Sequence, residues 1–280
     1  MVQDNFSLKG RTVAITRPVD QAEETGKLIT RYGGVPYFIP SIEIKETCDV
    51  ESVKHFVAEL ESNKIDYVLF MSVNGIRYLN SCVDRLGLKT QLLESIKKVV
   101  VLAVGPKTAQ ELSYYDVSVN LIPTKYSSEG IVECLKHYEI KNKTVYIPRT
   151  KDATPDLAKN LRNLGALVHE LYVYESLLPI NHDLMQKFVK DLQAGSVNAI
   201  IFGSSLSAKN LFKMLSYTIS QEQLQNLLNN NLTIVAIGPF TADSLTKLGL
   251  RVDVMPKKYL FNETLKALAE HWSTQKQKQI

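Results

Sequence analysis

The sequence predicts an α/β protein built from two similar domains with parallel sheets, and three observations lead to that prediction. The 280 residues amount to about twice the usual ~150-residue domain. Hydrophobic residues make up 45% and charged residues 22% of the chain, which is typical of a globular protein. Short apolar segments rich in β-branched residues alternate with amphipathic ones, and several of them recur at a fixed spacing.

The recurring segments indicate an internal duplication. The offset between the copies stays at 132 or 133 residues over four landmarks, which chance seldom produces. The paired segments are 12–18 with 144–150, 67–72 with 199–204, 103–109 with 236–242, and Lys125-Tyr126 with Lys258-Tyr259. We therefore expect one α/β unit that is present twice.

Both copies predict the same order of elements. The apolar segments 13–15, 67–70 and 99–104 in the first copy, and 145–147, 199–202 and 232–237 in the second, are predicted strands. Near-continuous apolar strands are typical of a parallel sheet that is covered on both faces. Ligands of such sheets bind beyond the carboxyl ends of the strands.

Capping signals mark the first helix of each copy. Asp20 with Glu23 forms a capping-box pattern, and Gly33 predicts the end of that helix. In the second copy Pro155 is predicted at the first helical position, and Gly165 follows the last turn.

Two repeated helix starts are candidate anion sites. Gly105-Pro-Lys-Thr108 and Gly238-Pro-Phe-Thr241 each follow a predicted strand and open a helix. The free N–H groups and the dipole of a helix N-terminus attract carboxylates and phosphates. The alternative is that Thr108 and Thr241 bond only to their own backbone.

Further candidates follow other strands. Ser72 and Ser204 end the second strand of each copy, and no Gly-x-Ser-x-Gly motif or histidine partner indicates a catalytic serine. Arg17 and Arg149 close the first strands, where a guanidinium group could bind substrate carboxylates or pair with a local acid.

Tyr172 and Tyr174 lie in an alternating segment, 171–176, which predicts both rings on one face of a strand. One interpretation is that the two rings pack and keep their hydroxyl groups in water. The other is that a phenol donates a proton to a leaving oxygen.

Several classes of function are disfavoured. Lys and Arg exceed Asp and Glu by 4 without a basic cluster, which argues against nucleic acid but suits a small polyanion. There is no apolar stretch of ~18 residues and no signal-peptide pattern at the start, so we expect no membrane partner. The three cysteines, Cys48, Cys82 and Cys134, are expected to be free thiols in the cytoplasm. The five histidines have no metal-ligand spacing and no nucleotide motif is present, so neither a metal nor a cofactor is expected.

The ordered set of motifs resembles the uroporphyrinogen-III synthase family. The resemblance runs from about residue 10 to residue 268 and is carried by segments 13–18, 70–72, 103–109, 165–168, 173–176 and 236–242. Ser205 stands where the family usually has proline, and Met71 and Gly203 stand where threonine is commoner. The resemblance implies a cofactor-free, monomeric lyase of heme and other tetrapyrrole biosynthesis. It would close hydroxymethylbilane, an octacarboxylate, into uroporphyrinogen III with loss of water and inversion of ring D.

The resemblance also implies a domain arrangement and a site. Residues 1–41 and 178–280 would form one α/β domain and 42–177 an inserted one, with a two-stranded connection and a ligand cleft between them. Tyr174 would assist departure of the hydroxyl group. Substrate-binding positions would be Ser72 and Thr108 in the inserted domain and Ser204 and Thr241 in the other, with backbone N–H groups at the helix starts. The polar tail 273–280 is predicted to be disordered.

A function of another class stays open from the sequence. A non-catalytic two-domain protein that binds anions or tetrapyrroles, or a sensor, would need the helix starts at Thr108 and Thr241. Such a protein would have no use for a proton donor at Tyr174.

Overall fold

The chain forms two compact units. The computed structural model describes residues 6–277, without the side chains of Asp20 and of 275–277. Met1–Glu43 and Leu177–Ile280 make up the first unit, called the split unit here, and Ile44–Ser176 make up the second, the inserted unit.

Strands and helices alternate along the chain. The strands are β1 (Thr12–Ile15), β2 (Val35–Phe38), β3 (Glu43–Glu46), β4 (Tyr67–Phe70), β5 (Val100–Ala103), β6 (Thr144–Thr150), β7 (Leu167–Leu177), β8 (Ala199–Phe202) and β9 (Thr233–Ala236). The helices are α1 (Val19–Arg31), α2 (Val50–Glu61), α3 (Val73–Arg85), α4 (Lys89–Ser95), α5 (Pro106–Ser113), α6 (Ser128–Leu135), α7 (Asp156–Asn163), α8 (His182–Gln193), α9 (Ser205–Leu215), α10 (Gln221–Asn231), α11 (Pro239–Lys247) and α12 (Phe261–Gln277).

Each unit contains its own sheet. The split unit has the order β2-β1-β8-β9, with all neighbours parallel. The inserted unit has the order β3-β7-β6-β4-β5, in which β7, β6, β4 and β5 are parallel. The chain passes from one unit to the other in β3 and again at the end of β7, and these strands are neighbours in the sheet. The predicted fold class, two parallel α/β units with a two-stranded connection, is confirmed.

Both faces of the sheets are covered, as the apolar strands predict. In β4, Val68 and Phe70 belong to one core cluster, while Tyr67 and Leu69 belong to another. Successive side chains of a strand point to opposite faces, so the two clusters lie on the two sides of the sheet. Complete burial of a side chain such as Phe70 contributes about 1.5–3 kcal/mol to folding.

The duplication appears in the structure as an exchange of segments. The offset of 132–133 residues relates β1 and β2 of the split unit to β6 and β7 of the inserted unit, and β4 and β5 to β8 and β9. The two sheets therefore have the same order, β2-β1-β8-β9 and β7-β6-β4-β5. Each sequence copy contributes two of the four equivalent strands to each sheet, and β3 of the first copy is an additional edge strand of the inserted unit.

Polar contacts at the strand starts repeat with the same offset. Asp66 Oδ2 accepts a hydrogen bond from Thr144 N, and Asn198 Oδ1 accepts one from Thr12 N, both at 2.8 Å. Likewise Val101 N donates to Asn120 Oδ1 and Ile234 N to Asp253 Oδ2, both at 2.7 Å. These bonds satisfy backbone N–H groups where each ladder begins.

Three local predictions need correction. Helix α1 begins at Val19 with Pro18 as its N-cap, so the predicted start at Asp20 is wrong, although Gly33 follows the helix with a φ of +70°. Pro155 is the N-cap of α7 and not its first residue, although its backbone already has helical angles, with φ −72° and ψ −6°. Helix α12 continues to Gln277, which contradicts disorder from residue 273, and Trp272 is buried just before this segment. Residues 278–280 lie outside the described part of the chain.

The cysteine prediction is wrong for two of the three residues. Cys48 and Cys82 form a disulfide, with their Cα atoms 5.7 Å apart, while Cys134 is free. Cys48 precedes α2 and Cys82 lies within α3, so the fold joins residues 34 positions apart that the sequence does not mark as partners. Among residues 6–277, no helix is both long and apolar enough to cross a membrane.

Candidate active site

Four of the predicted site residues lie at one edge of the sheet in the inserted unit. Ser72 follows β4, Gly105 follows β5, and Arg149 and Tyr174 belong to the last residues of β6 and β7. Because these four strands are parallel, their carboxyl ends meet at the same edge. This edge is where open parallel sheets bind their ligands.

Tyr174 and Ser72 are in direct contact. Ser72 Oγ lies 3.1 Å from Tyr174 Oη, and either hydroxyl group could be the donor. Ser72 is also the N-cap of α3, where its Oγ accepts a hydrogen bond from Gly75 N at 3.0 Å. The phenol is thus tied to the first turn of a 13-residue helix.

The surroundings of Tyr174 favour its protonated form. The side chain is only 8% exposed and stacks on Tyr78, with ring centroids 5.5 Å apart. Burial raises the pKa of Tyr174 above its usual value of 10, whereas the hydrogen bond from Ser72 and the charge of Arg149 lower it. The phenol therefore keeps its proton at neutral pH, as a proton donor must.

Tyr172 and Tyr174 do not share an environment, contrary to the prediction from alternation. Tyr172 is 41% exposed and Tyr174 is buried. The pairing of β6 with β7 shifts by one residue here, since Arg149 pairs with Tyr172 but Thr150 pairs with Tyr174. The bulge interrupts the two-residue period and turns Tyr174 into the core.

Arg149 is buried and held by neighbours in the inserted unit. Its Nη1 donates to Glu170 Oε1 at 2.9 Å, and its Nη2 donates to the Thr154 carbonyl at 3.2 Å. Its Nε has no hydrogen-bond partner among the described residues. Of the two interpretations from the sequence, the structure shows the pairing with a local acid.

The two repeated helix starts have the same geometry. Gly105 and Gly238 are extended N-cap residues, each followed by proline, and neither helix has a side-chain cap in the described residues. The threonines that follow are buried, with Thr108 4% and Thr241 5% exposed. The first N–H groups of a helix have no partner within it, so both starts offer donors to an anion.

A tyrosine ring lies against each of these glycines, and sequence reasoning assigned it no role. A Cβ atom at Gly105 would lie 3.1 Å from the Tyr126 ring, and one at Gly238 would lie 3.3 Å from the Tyr259 ring. Both rings are largely exposed. The repeated Lys-Tyr landmark was the available signal for this pair, whereas nothing in the sequence pointed to Tyr78.

The corresponding residues of the split unit are Arg17 and Ser204. The Arg17 guanidinium lies 4.3 Å from the Phe261 ring centroid and donates to Gln21 and Thr25. Ser204 is the N-cap of α9 and forms a reciprocal capping box with Ser207. Both follow parallel strands, β1 and β8, at the carboxyl edge of their sheet.

Among the described residues, one group of side chains combines residue types that can bind a metal ion. A carboxylate oxygen of Glu46 and the sulfur atoms of Cys48 and Cys82 lie within 4.8 Å of one another. The two sulfurs are bonded to each other, and Glu46 already pairs with Arg85 at 2.6 Å. The group is therefore better described as a disulfide beside an ion pair.

Comparison with known proteins assigns this arrangement to a family. The family model "Uroporphyrinogen-III synthase HemD" matches residues 23–266. The chain belongs to the uroporphyrinogen-III synthase family. The uroporphyrinogen-III synthase of Chlorobaculum parvum is 28% identical to it over 268 residues, which cover 93% of this chain and 98% of that protein.

Solved uroporphyrinogen-III synthases share the fold. A mutant of the Thermus thermophilus synthase superposes with a TM-score of 0.68 at 20% identity, covering 94% of this chain and 99% of that chain. The Helicobacter pylori uroporphyrinogen-III synthetase superposes with a TM-score of 0.59 at 18% identity, covering 93% of this chain and 99% of that one. The resemblance found from the motifs is confirmed, and with it the assignment to an enzyme family of porphyrin and heme biosynthesis.

Proposed function

We propose that the chain cyclises hydroxymethylbilane to uroporphyrinogen III, with loss of water and inversion of ring D. The observation that carries the proposal is the buried Tyr174, hydrogen-bonded to Ser72 at the carboxyl edge of a parallel sheet. A binding module has no need of a phenol that is held protonated at this place. Membership of the family supports the same reaction.

The proposed chemical step is proton donation by Tyr174. The bond between the terminal carbon of the bilane and its hydroxyl oxygen breaks, and the oxygen takes the phenol proton and leaves as water. The resulting cation is attacked by the substituted carbon of ring D, which gives a spirocyclic intermediate. The bond from that carbon to its original bridging carbon then breaks, and the bridging carbon bonds instead to the unsubstituted α carbon of ring D. The proton lost from this α carbon returns to the phenolate. The step balances without an oxidant or a cofactor, so we propose a cofactor-free lyase.

Substrate carboxylates are proposed to bind at the helix starts. Gly105 with Thr108 opens α5, and Gly238 with Thr241 opens α11, each with N–H groups that lack intrahelical partners. Ser204 and Arg17 are proposed to bind further carboxylates at the edge of the split-unit sheet. Arg149 is held by Glu170, so its charge is proposed to act near Tyr174 and not as a mobile carboxylate clamp.

Holding the substrate in one shape is the other proposed task. The bilane cyclises unaided to the isomer in which ring D is not inverted. An enzyme therefore has to favour attack by the substituted carbon of ring D, and it does so by holding that carbon close to the cation. Anchoring many carboxylates on rigid helix starts meets this demand.

The other proposals concern the whole molecule. The split and inserted units are proposed to be the two domains that the resemblance implies, with boundaries near residues 41 and 177. We further propose a cytoplasmic monomer without nucleic-acid or membrane partners. The cytoplasmic location is supported by the family assignment alone, because the Cys48–Cys82 disulfide removes the free-thiol argument for it.

Product analysis tests the proposal. Freshly prepared hydroxymethylbilane is incubated with the protein, the porphyrinogens are oxidised, and the isomers are separated by chromatography. We expect isomer III to predominate, while a protein-free control gives isomer I. A product mixture equal to that control would overturn the proposal, and tight binding of uroporphyrinogen without turnover would favour the binding-protein alternative.

A further inference from the structure

The Ser72 hydroxyl group has two partners, and its oxygen and its proton play different roles toward them. Its Oγ must accept from Gly75 N, because a backbone N–H can only donate. The serine proton is therefore available for Tyr174 Oη, 3.1 Å away. Once a ligand oxygen accepts the phenol proton, Ser72 becomes the donor of this pair.

The position of Ser72 is fixed from two sides. A Cβ atom at Gly75 would lie 2.8 Å from the Pro148 carbonyl oxygen, so the first turn of α3 is pressed against β6. Tyr78, three residues after Gly75 on α3, stacks on the Tyr174 ring. The helix thus contacts the tyrosine both at its ring and at its hydroxyl group.

We propose that Ser72 is a positioning residue, which donates its proton to Tyr174 Oη, directs the phenol proton toward the substrate and stabilises the phenolate after transfer. The inference rests on the proposed function and gives Ser72 a role other than that of a carboxylate ligand. The N-terminus of α3 adds its positive dipole end beside the phenolate. Arg149 favours the phenolate as well, Asp152 opposes it, and the Tyr78 ring stacks on the Tyr174 ring.

The second copy shows that this bond is not a requirement of the fold. Ser204 caps α9 just as Ser72 caps α3, with its Oγ 3.1 Å from Ser207 N. The offset of 132 residues places Ile42 where the inserted unit has Tyr174. A serine can thus cap such a helix without contacting a phenol, and the contact between the serine and a tyrosine occurs in the inserted unit.

Three variants of Ser72 separate positioning from helix capping. Ser72→Ala removes both the cap and the donor, Ser72→Asp keeps a good cap without a proton to donate, and Ser72→Thr keeps both. We expect kcat for isomer III to fall about 10- to 100-fold in Ser72→Ala and at least as far in Ser72→Asp, with KM within about threefold. Ser72→Thr should retain most of the activity. Ser220→Ala, which removes the N-cap of α10, is the control for lost capping and should leave kcat unchanged.

The pH profile gives an independent readout. Without the donated hydrogen bond the phenolate is less stable, so the alkaline fall of kcat should move to higher pH in Ser72→Ala while the plateau drops. Wild-type kcat in Ser72→Asp, or an unmoved alkaline limb in a folded Ser72→Ala protein, would overturn the positioning role. Absence of isomer III from the wild-type reaction would instead overturn the proposed function.

Discussion

Tyr174 combines burial with two groups that stabilise its anion. Burial keeps the phenol neutral, while Ser72 and Arg149 limit the free energy needed to form the phenolate. A proton donor has to hold its proton before the reaction and release it during the reaction, and this environment serves both demands. The bulge in β7 creates that environment, since an uninterrupted strand would give Tyr174 the orientation of the exposed Tyr172.

Replacing the phenol hydroxyl tests the catalytic role directly. Tyr174→Phe is expected to lower kcat about 100-fold or more, because it removes the proton donor while the ring and its stacking on Tyr78 stay. Product binding, measured by fluorescence titration, should change less than about threefold. Tyr172→Phe is the matched control, two residues away on the same strand, and should keep wild-type kcat.

The same two variants should also differ in the pH dependence of kcat. The donor works only while protonated, and burial holds its pKa above 10, so wild-type kcat should fall only above about pH 10. Tyr172→Phe should show the same alkaline limb, and Tyr174→Phe should lack it. Equal kcat in Tyr174→Phe and the wild type would show that Tyr174 merely packs.

At the level of elements, the disulfide joins two segments that hold Tyr174. Thr47, next to Cys48, donates its backbone N–H to the Val173 carbonyl at 3.1 Å, beside the bulge. Cys82 lies on α3, which carries Ser72 as its cap and Tyr78 as a stacking partner. The Cys48–Cys82 bond therefore braces α3 against the strand that carries the phenol.

Removing the Cys48–Cys82 disulfide should lower the stability of the fold, because the unfolded chain gains conformational freedom. Closing a loop over a separation of 34 residues stabilises a fold by about 2–4 kcal/mol, mainly by restricting the unfolded chain. We expect dithiothreitol to lower the Tm of the wild type and of Cys134→Ser, in which the free thiol is replaced, but not that of Cys48→Ser. Thiol titration of the denatured, unreduced protein should find one reactive group, and three such groups before reduction would contradict the disulfide.

The elements also show what the sequence can and cannot predict. Strand position, helix starts at Gly105 and Gly238, and the repeat follow from local patterns of residue type, and the structure contains them all. The disulfide, the stacking of Tyr78 and the Arg149–Glu170 pair depend on tertiary proximity, for which local pattern holds no signal. The bulge at Tyr174 breaks the very period from which strand faces are predicted.

For the whole molecule, the boundary between the two sequence copies differs from the boundary between the two folded units. A cut near residue 140 separates the two sequence copies but divides both sheets, because β1 pairs with β8 and β4 pairs with β6 across it. Each hydrophobic core nevertheless belongs to one unit, since the two clusters that cover the inserted-unit sheet lie entirely within residues 44–176. The repeat thus gives the number of units, and strand pairing gives their limits.

The proposed proton donor, Tyr174, has no equivalent in the other sequence copy. Tyr174 has the aliphatic Ile42 as its counterpart, while the serine caps and the Gly-Pro-x-Thr helix starts occur in both copies. Duplication thus doubled the elements suited to binding anions, and the proposed chemistry is confined to the inserted unit.

Expression of fragments tests this division of the chain. The segment 44–176 keeps both of its core clusters and four neighbouring parallel strands, so it should unfold cooperatively, with a free energy of unfolding of roughly 5–15 kcal/mol. The segment 1–140 retains β1 without β8 and β4 without β6, which exposes strand edges and apolar faces. It should therefore aggregate or show no thermal transition by circular dichroism. A cooperative transition in 1–140 together with its absence in 44–176 would mean that the sequence copies, and not the exchanged segments, are the folding units.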